Sequence, residues 1–167
     1  KAAGMVNAQL SNMQEFKGPE NAEKRAEALM DIMRHVTKQT ADGSVEMEDY
    51  ARYMGRIASA AQNFAGPFSK NVGTLGALSQ LAMRGGATNA TEATNAAQNL
   101  PRDLMKATTL KKWDAAGINL FADKGKTKMR GMEEILIDYL RKFGGDKAAL
   151  ATMFPNSSSS RAVRGAM

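Results

Sequence analysis

Apolar residues along this chain recur mostly at steps of three and four, and glycine or proline marks the breaks between the periodic runs. Met47, Tyr50, Met54, Ile57, Ala61 and Phe64 form the cleanest stripe. They predict an amphipathic helix that begins at Ser44, with Glu46, Glu48 and Asp49 near its positive dipole end. Ala51, Gly55, Ala58 and Ala65 on its other faces leave room for a close neighbour. An earlier stripe of Ala22, Ala26, Leu29, Met33 and Val36 follows the start signal Gly18-Pro19-Glu20 and closes at Thr40-Ala41-Asp42-Gly43-Ser44. Residues 1–18 are polar with weak periodicity and are expected to fray, with Leu10, Met13 and Phe16 as anchors of a short helix.

After Gly66-Pro67, a third helix is predicted from Val72, Leu75, Leu78, Leu81 and Ala82, thinned on one face by Gly73, Gly76 and Ala77. Gly85-Gly86 reads as its stop signal and not as a phosphate loop, because no strand precedes the pair and no Gly-Lys-Ser follows. Thr88 or Asn89 can cap a fourth helix that runs to Asn99 and ends at Leu100-Pro101. That helix is nearly all Ala, Thr, Asn and Gln, so it must lean on its neighbours. A fifth helix, 101–116, carries Leu104, Met105, Thr108 and Trp113, with Gly117 as its cap.

Ile118 and Leu120 then alternate with Asn119 and Phe121, and Asp123-Lys124-Gly125 supplies turn chemistry. The expectation is a small β-hairpin near 118–130 resting on the next helix, whose face is Met132, Ile135, Leu136, Tyr139, Leu140 and Phe143. Gly144-Gly145 ends that helix, and Asp146 caps another that Pro155 stops after Phe154. Asn156 and Ser157 to Ser160 read as a capping turn before a last short helix at 161–167. The pattern as a whole predicts a mainly α protein, a compact bundle of about six to eight short helices with one small hairpin. Residues 19–167 are expected to form a single domain.

Composition narrows the chemistry. There is no cysteine and one histidine, His35, among 167 residues. Disulfides, thiolate metal sites, cysteine nucleophiles and multi-histidine sites are therefore excluded. Hydrophobic residues make up 43% and charged residues 24%, a globular balance. Aromatics are only 6% while methionine reaches 12 residues, so the core is built from small and flexible side chains. No apolar run is long enough to span a bilayer. The opening Lys1-Ala2-Ala3-Gly4 is expected to be a cut through a longer polypeptide. The net charge of +6 is uneven: residues 1–66 hold 8 Lys or Arg against 9 Asp or Glu, and residues 67–167 hold 15 against 8.

The basic half concentrates loosely at Lys124, Lys126, Lys128 and Arg130. This cluster reads first as a solvated hairpin, with the phosphates of a nucleic acid or an anionic envelope surface as the alternative contact. Glu133-Glu134 is the one tempting carboxylate pair, yet adjacent helix residues point about 100° apart and acids are expected in a first turn. A peptidoglycan hydrolase stays as the enzyme alternative on size, basicity and helical content alone. His35 falls near a helix C-terminus, where it can bond a carbonyl or complement the dipole. No catalytic, cofactor-binding or metal-binding constellation is expected.

From residue 44 onward the chain resembles the core region of tail tape-measure proteins of long-tailed bacteriophages and prophages. The resemblance starts with an Ala-Ala pair, Ala60-Ala61, then a leucine-rich helix over 75–83. A Thr/Ala-rich helix over 85–99 follows, with Pro101 soon after and then Leu110-Lys111-Lys112. It continues through Gly117-Ile118-Asn119-Leu120-Phe121 and Met132-Glu133-Glu134-Ile135-Leu136 with Tyr139-Leu140, and ends at Met153-Phe154 and Arg161-Ala162. Pro155 stands where the family usually has glycine, and Thr94-Asn95-Ala96 where it usually has Ala-Gly-Thr.

The resemblance implies a structural virion protein of the tail interior, present in the bacterial cytoplasm during assembly. Such a protein sets tail length and helps deliver DNA. Its implied partners are tube subunits, assembly chaperones, the tail tip and other copies of itself, and it brings no catalytic residues. A ruler, however, works by extended length, and this segment is broken at Gly18-Pro19, Gly66-Pro67, Gly85-Gly86, Leu100-Pro101 and Gly144-Gly145. It is expected to be a compact body roughly 40 Å across within such a protein, not the ruler itself.

Overall fold

The structure is a computed structural model that describes residues 1–41 and 45–167. The expected Asp42-Gly43 turn and Ser44 cap lie outside the described residues. The described chain is all-α: α1 Ala2–Ser11, α2 Ala22–Ala41, α3 Met47–Ala61, α4 Phe68–Arg84, α5 Ala90–Leu104, α6 Ala107–Ala115, α7 Met132–Phe143, α8 Lys147–Met153 and α9 Ser157–Arg164. Single 3₁₀ turns at Gln14–Phe16 and Pro19–Asn21 link α1 to α2. The accessible surface is 8612 Å², close to the roughly 8,000 Å² expected of a compact chain of this mass.

The core is organised around the helix with the smallest side chains. α5 packs on α3, α4 and α9, and Ala93, Ala96, Ala97 and Leu100 on it are fully buried. A row of Cβ atoms lets three neighbouring backbones approach, so the helix that would be weakest alone becomes the centre of the bundle. Its start is well made. The Asn89 side chain accepts from the Glu92 amide at 2.9 Å, and Glu92 reaches back to the Thr88 amide at 2.7 Å. This is a capping-box arrangement displaced by one residue.

α5 also corrects an expectation, because it runs through Pro101 instead of ending before it. Proline cannot donate to the Ala97 carbonyl, so one helical bond is lost. The ladder resumes when the Met105 amide donates to Pro101 O at 3.1 Å. Leu100, Pro101 and Leu104 are all buried, and their burial holds the last turn in place. The break falls instead at Met105-Lys106, between α5 and α6.

Part of the first 18 residues packs into the bundle. Val6, Leu10 and Phe16 are buried, and α1 lies against α3 at Gly55, where an added Cβ would stand 2.7 Å from Gln9 Oε1. Phe16 packs against Phe68 with the rings tilted and their centroids 5.4 Å apart, and Arg25 Nη1 donates to Phe16 O at 3.0 Å. On α2 the buried face is Ala28, Ile32 and Val36, with Leu29 and Met33 partly buried against the core. Ala22 and Ala26 are exposed. An isoleucine removes far more apolar area from water than an alanine, so the helix turns Ile32 inward.

The β-hairpin expected near 118–130 is absent; among the described residues no strand forms, only two isolated bridges. The Asn119 side chain folds back on Phe121, accepting from its amide at 3.0 Å and donating to its carbonyl at 2.9 Å. That local bonding breaks the alternation, and Ile118, Leu120 and Phe121 are all buried. What remains is a clip centred on Met129. The Met129 amide donates to Asn63 O at 2.9 Å, and its carbonyl accepts from Ala65 at 2.7 Å. The flanking bonds Ala122 N to Lys128 O and Arg130 N to Leu120 O hold 120–122 alongside.

The serine run is likewise not a capping turn. Asn156 caps α9, accepting from the Ser158 amide at 2.8 Å, and Ser159 and Ser160 are buried within the helix. Small hydroxyl side chains suit a helix that comes this close. A Cβ on Gly85 would lie 1.9 Å from Arg161 O, and one on Gly165 would lie 1.8 Å from Leu81 O.

Gly85→Ala and Gly165→Ala should each destabilise the protein by about 1–3 kcal/mol, since backbone must move to admit the methyl group. Gly4→Ala in α1, with nothing within 4 Å of the new Cβ, should instead stabilise by up to about 1 kcal/mol. Urea unfolding of the three variants against the parent measures both signs.

Candidate functional site

The basic turn was the sequence's candidate contact patch, and its geometry starts from Asp123. That carboxylate accepts from the Lys128 amide at 2.9 Å, the Thr127 amide at 3.0 Å and the Thr127 hydroxyl at 2.9 Å. These bonds, the Lys128 amide first, hold its pKa below the usual carboxylate value. The turn closes through Lys126, a non-glycine residue at φ +56°, whose Nζ sits 5.5 Å from the centre of the Phe121 ring.

The four cations do not converge. Arg130 is only a quarter exposed; its Nη1 bonds Asn119 O at 2.9 Å and Asp138 Oδ2 at 2.9 Å, and its Nε pairs with Glu134 at 3.3 Å. Lys128 Nζ donates to the Gln62 carbonyl at the end of α3, where a cation complements the helix dipole. Among the described residues the Lys124 and Lys126 side chains have neither an acidic nor a carbonyl partner, and Lys128, also exposed, has no acidic one. The turn is therefore a structural clamp with two outward charges and lacks the layout of a phosphate cradle.

The other sequence candidates separate in the same way. Glu133 pairs with Lys70 at 3.2 Å and Glu134 with Arg130, so the two carboxylates point to different partners. His35 bonds the Asp31 carbonyl through Nδ1 at 2.7 Å and lies against Gly73. Among the described residues no group of three potential metal ligands comes together, and no helix is long and apolar enough to cross a membrane. Among the described residues the most deeply buried carboxylate is Asp103 on α5. Ser159 of α9 donates to its Oδ2, and Lys106 Nζ stands 2.6 Å from Oδ1, off the line of a good hydrogen bond. Ser159 is fully buried, which makes this a tie between helices and leaves a substrate no access.

Sequence reasoning missed a cleft of about 720 Å³ between α8 and α9, lined by Leu150, Phe154, Pro155 and Met167 with Lys147 and Arg164 at hand. Its floor belongs to an aromatic cluster. Phe154 meets Trp113 edge-on at 5.4 Å and Tyr139 at 5.2 Å, and Tyr139 meets Phe143 at 5.4 Å. Trp113 Nε1 donates to Met153 O at 3.3 Å. Burial, and then the charge of Asp146, raise the Tyr139 pKa. The one hint in the sequence was Pro155, which stops α8 and turns the chain back. The cleft offers apolar surface and two cations, with no acid–base pair for chemistry. Comparison of the chain with protein-family models, with curated proteins and with solved structures finds no match.

Because the Asp123 pKa is depressed in the folded state, the turn's stabilisation is complete above the unfolded carboxylate range and is lost as pH falls through the lower folded value. Acid titration followed by NMR should show the Thr127 and Lys128 amide signals moving only below the ordinary aspartate range, and Asp123→Asn should remove that step. Arg130→Ala should cost about 1–2 kcal/mol of stability, whereas Lys124→Ala should stay within about 0.5 kcal/mol. Denaturant midpoints distinguish them.

Proposed function

We propose that this chain is a structural module of a phage tail tape-measure protein, one that folds as a compact body instead of serving as the extended ruler. The observation that carries the reading is the ordered series of motifs from Ala60-Ala61 through Met153-Phe154 to Arg161-Ala162. The helical breaks and the area of 8612 Å² support the compact form. Under this reading the module acts by assembly and not by catalysis. Its partners are tube subunits, chaperones, the tail tip or further copies, and its place is the tail interior after assembly in the bacterial cytoplasm.

A ruler of 167 residues as helix would account for about 250 Å of tail. In-frame deletion of this segment from its parent gene should leave the length of assembled tails unchanged within that resolution, while tail yield or infectivity drops. Electron microscopy of the particles decides it. Tails shorter by about 250 Å would refute the compact-module reading, and absence of the chain from purified tails would refute the tail assignment itself. A DNA mobility shift lost on Lys124→Ala, Lys126→Ala and Lys128→Ala would move the function to nucleic-acid binding at the basic turn.

A further inference from the structure

Away from the basic turn, α3 and α5 enclose a groove of about 400 Å³. Arg56, Ser59 and Asn63 line one wall, and Gln98, Asn99 and Arg102 the other. On α3 Arg56 and Ser59 fall at i and i+3, with Asn63 in the turn just past its end, and on α5 the residues fall at i, i+1 and i+4, so each helix presents one face to the groove. The wall has a consistent chemistry of guanidinium, hydroxyl and amide.

The charge on this groove is uncompensated. Arg56 Nη1 donates to Asn95 Oδ1 at 3.3 Å, and Arg102 Nη2 donates to Asn99 Oδ1 at 3.0 Å. Neutral amide oxygens hold the two side chains without cancelling their charge. All four carboxylates carried by α3 and α5 are engaged elsewhere. Glu48 pairs with Lys1 at 3.6 Å and Asp49 with Arg52 at 3.6 Å. Glu92 pairs with Arg161, and Asp103 pairs with Lys106. Among the described residues neither Arg56 nor Arg102 has an acidic partner. Each guanidinium keeps N–H groups in hand, in the planar fork that fits two oxygens of one phosphate.

The groove carries more than charge. Asn63 spends its amide N–H₂ on the carbonyls of Ser59 and Ala60, which leaves its oxygen as an acceptor, and Gln98 brings both a donor and an acceptor. Buried Ala60 and Pro101 and the exposed side chain of Met105 add an apolar surface. A volume of this size suits a small ligand that combines an anionic group with a flat polar body.

We propose that the α3–α5 groove binds a phosphate-bearing nucleotide, its phosphate on Arg56 and Arg102 and its sugar or base over Pro101 and Met105. The same chemistry is offered by a free nucleoside monophosphate and by one unit of a single strand, and the test separates them. Because it needs only the purified chain, its outcome is independent of the tail assignment.

The experiment titrates the full chain into fluorescein-labelled adenosine monophosphate and, separately, into a labelled oligothymidylate, following anisotropy at low salt with inorganic phosphate as competitor. One or both probes should bind. Arg56→Ala or Arg102→Ala should each weaken binding by about tenfold, and the double change Lys124→Ala, Lys126→Ala should alter it by less than about twofold. Binding of the monophosphate assigns the groove to free nucleotides; binding of the oligomer alone assigns it to a strand. Both arginine side chains are solvent-facing, so far-UV circular dichroism should match the parent. In addition, the side-chain amide NMR signals of Asn63, Gln98 and Asn99 in the unmutated chain should shift on addition of adenosine monophosphate or oligomer. The proposal is overturned if neither probe binds, if the amide signals stay fixed with both, or if affinity follows the lysine changes and ignores the arginine ones.

Discussion

Between Gly85 and the carbonyl of Arg161, and again between Gly165 and the carbonyl of Leu81, there is no room for one methyl group. Backbone meets backbone there, and the arrangement of the bundle follows from that approach. α9 can lie down on α4 only because both crossing points are glycine. It packs on α5 as well, and small residues are buried on both helices, Ala93, Ala96 and Ala97 on one and Ser159 and Ala162 on the other. Dispersion between closely packed atoms, together with the Ser159–Asp103 and Arg161–Glu92 ties, substitutes for the large side chains this core lacks. The bulky residues are placed elsewhere, around Trp113, Tyr139 and Phe154.

What could be read in advance follows the same division. α3 was legible because its stripe of Tyr50, Met54, Ile57, Ala61 and Phe64 is built from side chains whose burial dominates any local preference. The caps at Asn89 and Asp146 were legible because their bonds are local: Asp146 accepts from the Ala148 and Ala149 amides at 2.8 and 3.2 Å. The errors fall where tertiary contact overrode a local rule. Pro101 remains inside α5 because its flanks are buried, and Ser157 to Ser160 become the start of α9 with Ser159 and Ser160 buried in the bundle. Val6 and Leu10 carry a first helix whose weak pattern gave no sign that α3 would cover it. Asn119 spoiled the hairpin through a bond pattern that apolar alternation does not encode.

The candidate sites divide by how charges are used. At the turn 123–130 the cations are largely committed, to Asp138 and Glu134 through Arg130 and to the end of α3 through Lys128. They read in sequence as a patch because proximity along the chain says nothing of partners. Along α3 and α5 the converse holds: Arg56 and Arg102 lie 46 positions apart and look unrelated, yet helix packing sets them on one groove while their neighbouring acids turn away. The aromatic cleft between α8 and α9 was hidden for a similar reason, since Leu150 and Met167 share a cavity only after Pro155 reverses the chain.

The clip at Met129 carries a consequence for the order in which this molecule assembles. Its two bonds to Asn63 and Ala65 join points more than sixty residues apart, and closing so large a loop has a high entropic cost until the intervening chain is already compact. α4, α5 and α6 all lie inside that loop. The clip therefore closes only once those helices have packed, as do the still longer loops joined where Gly85 meets Arg161 and Gly165 meets Leu81, and losing its two bonds opens it locally. Exchange of the Met129 and Ala65 amides with solvent deuterium reports that local opening, separate from global unfolding.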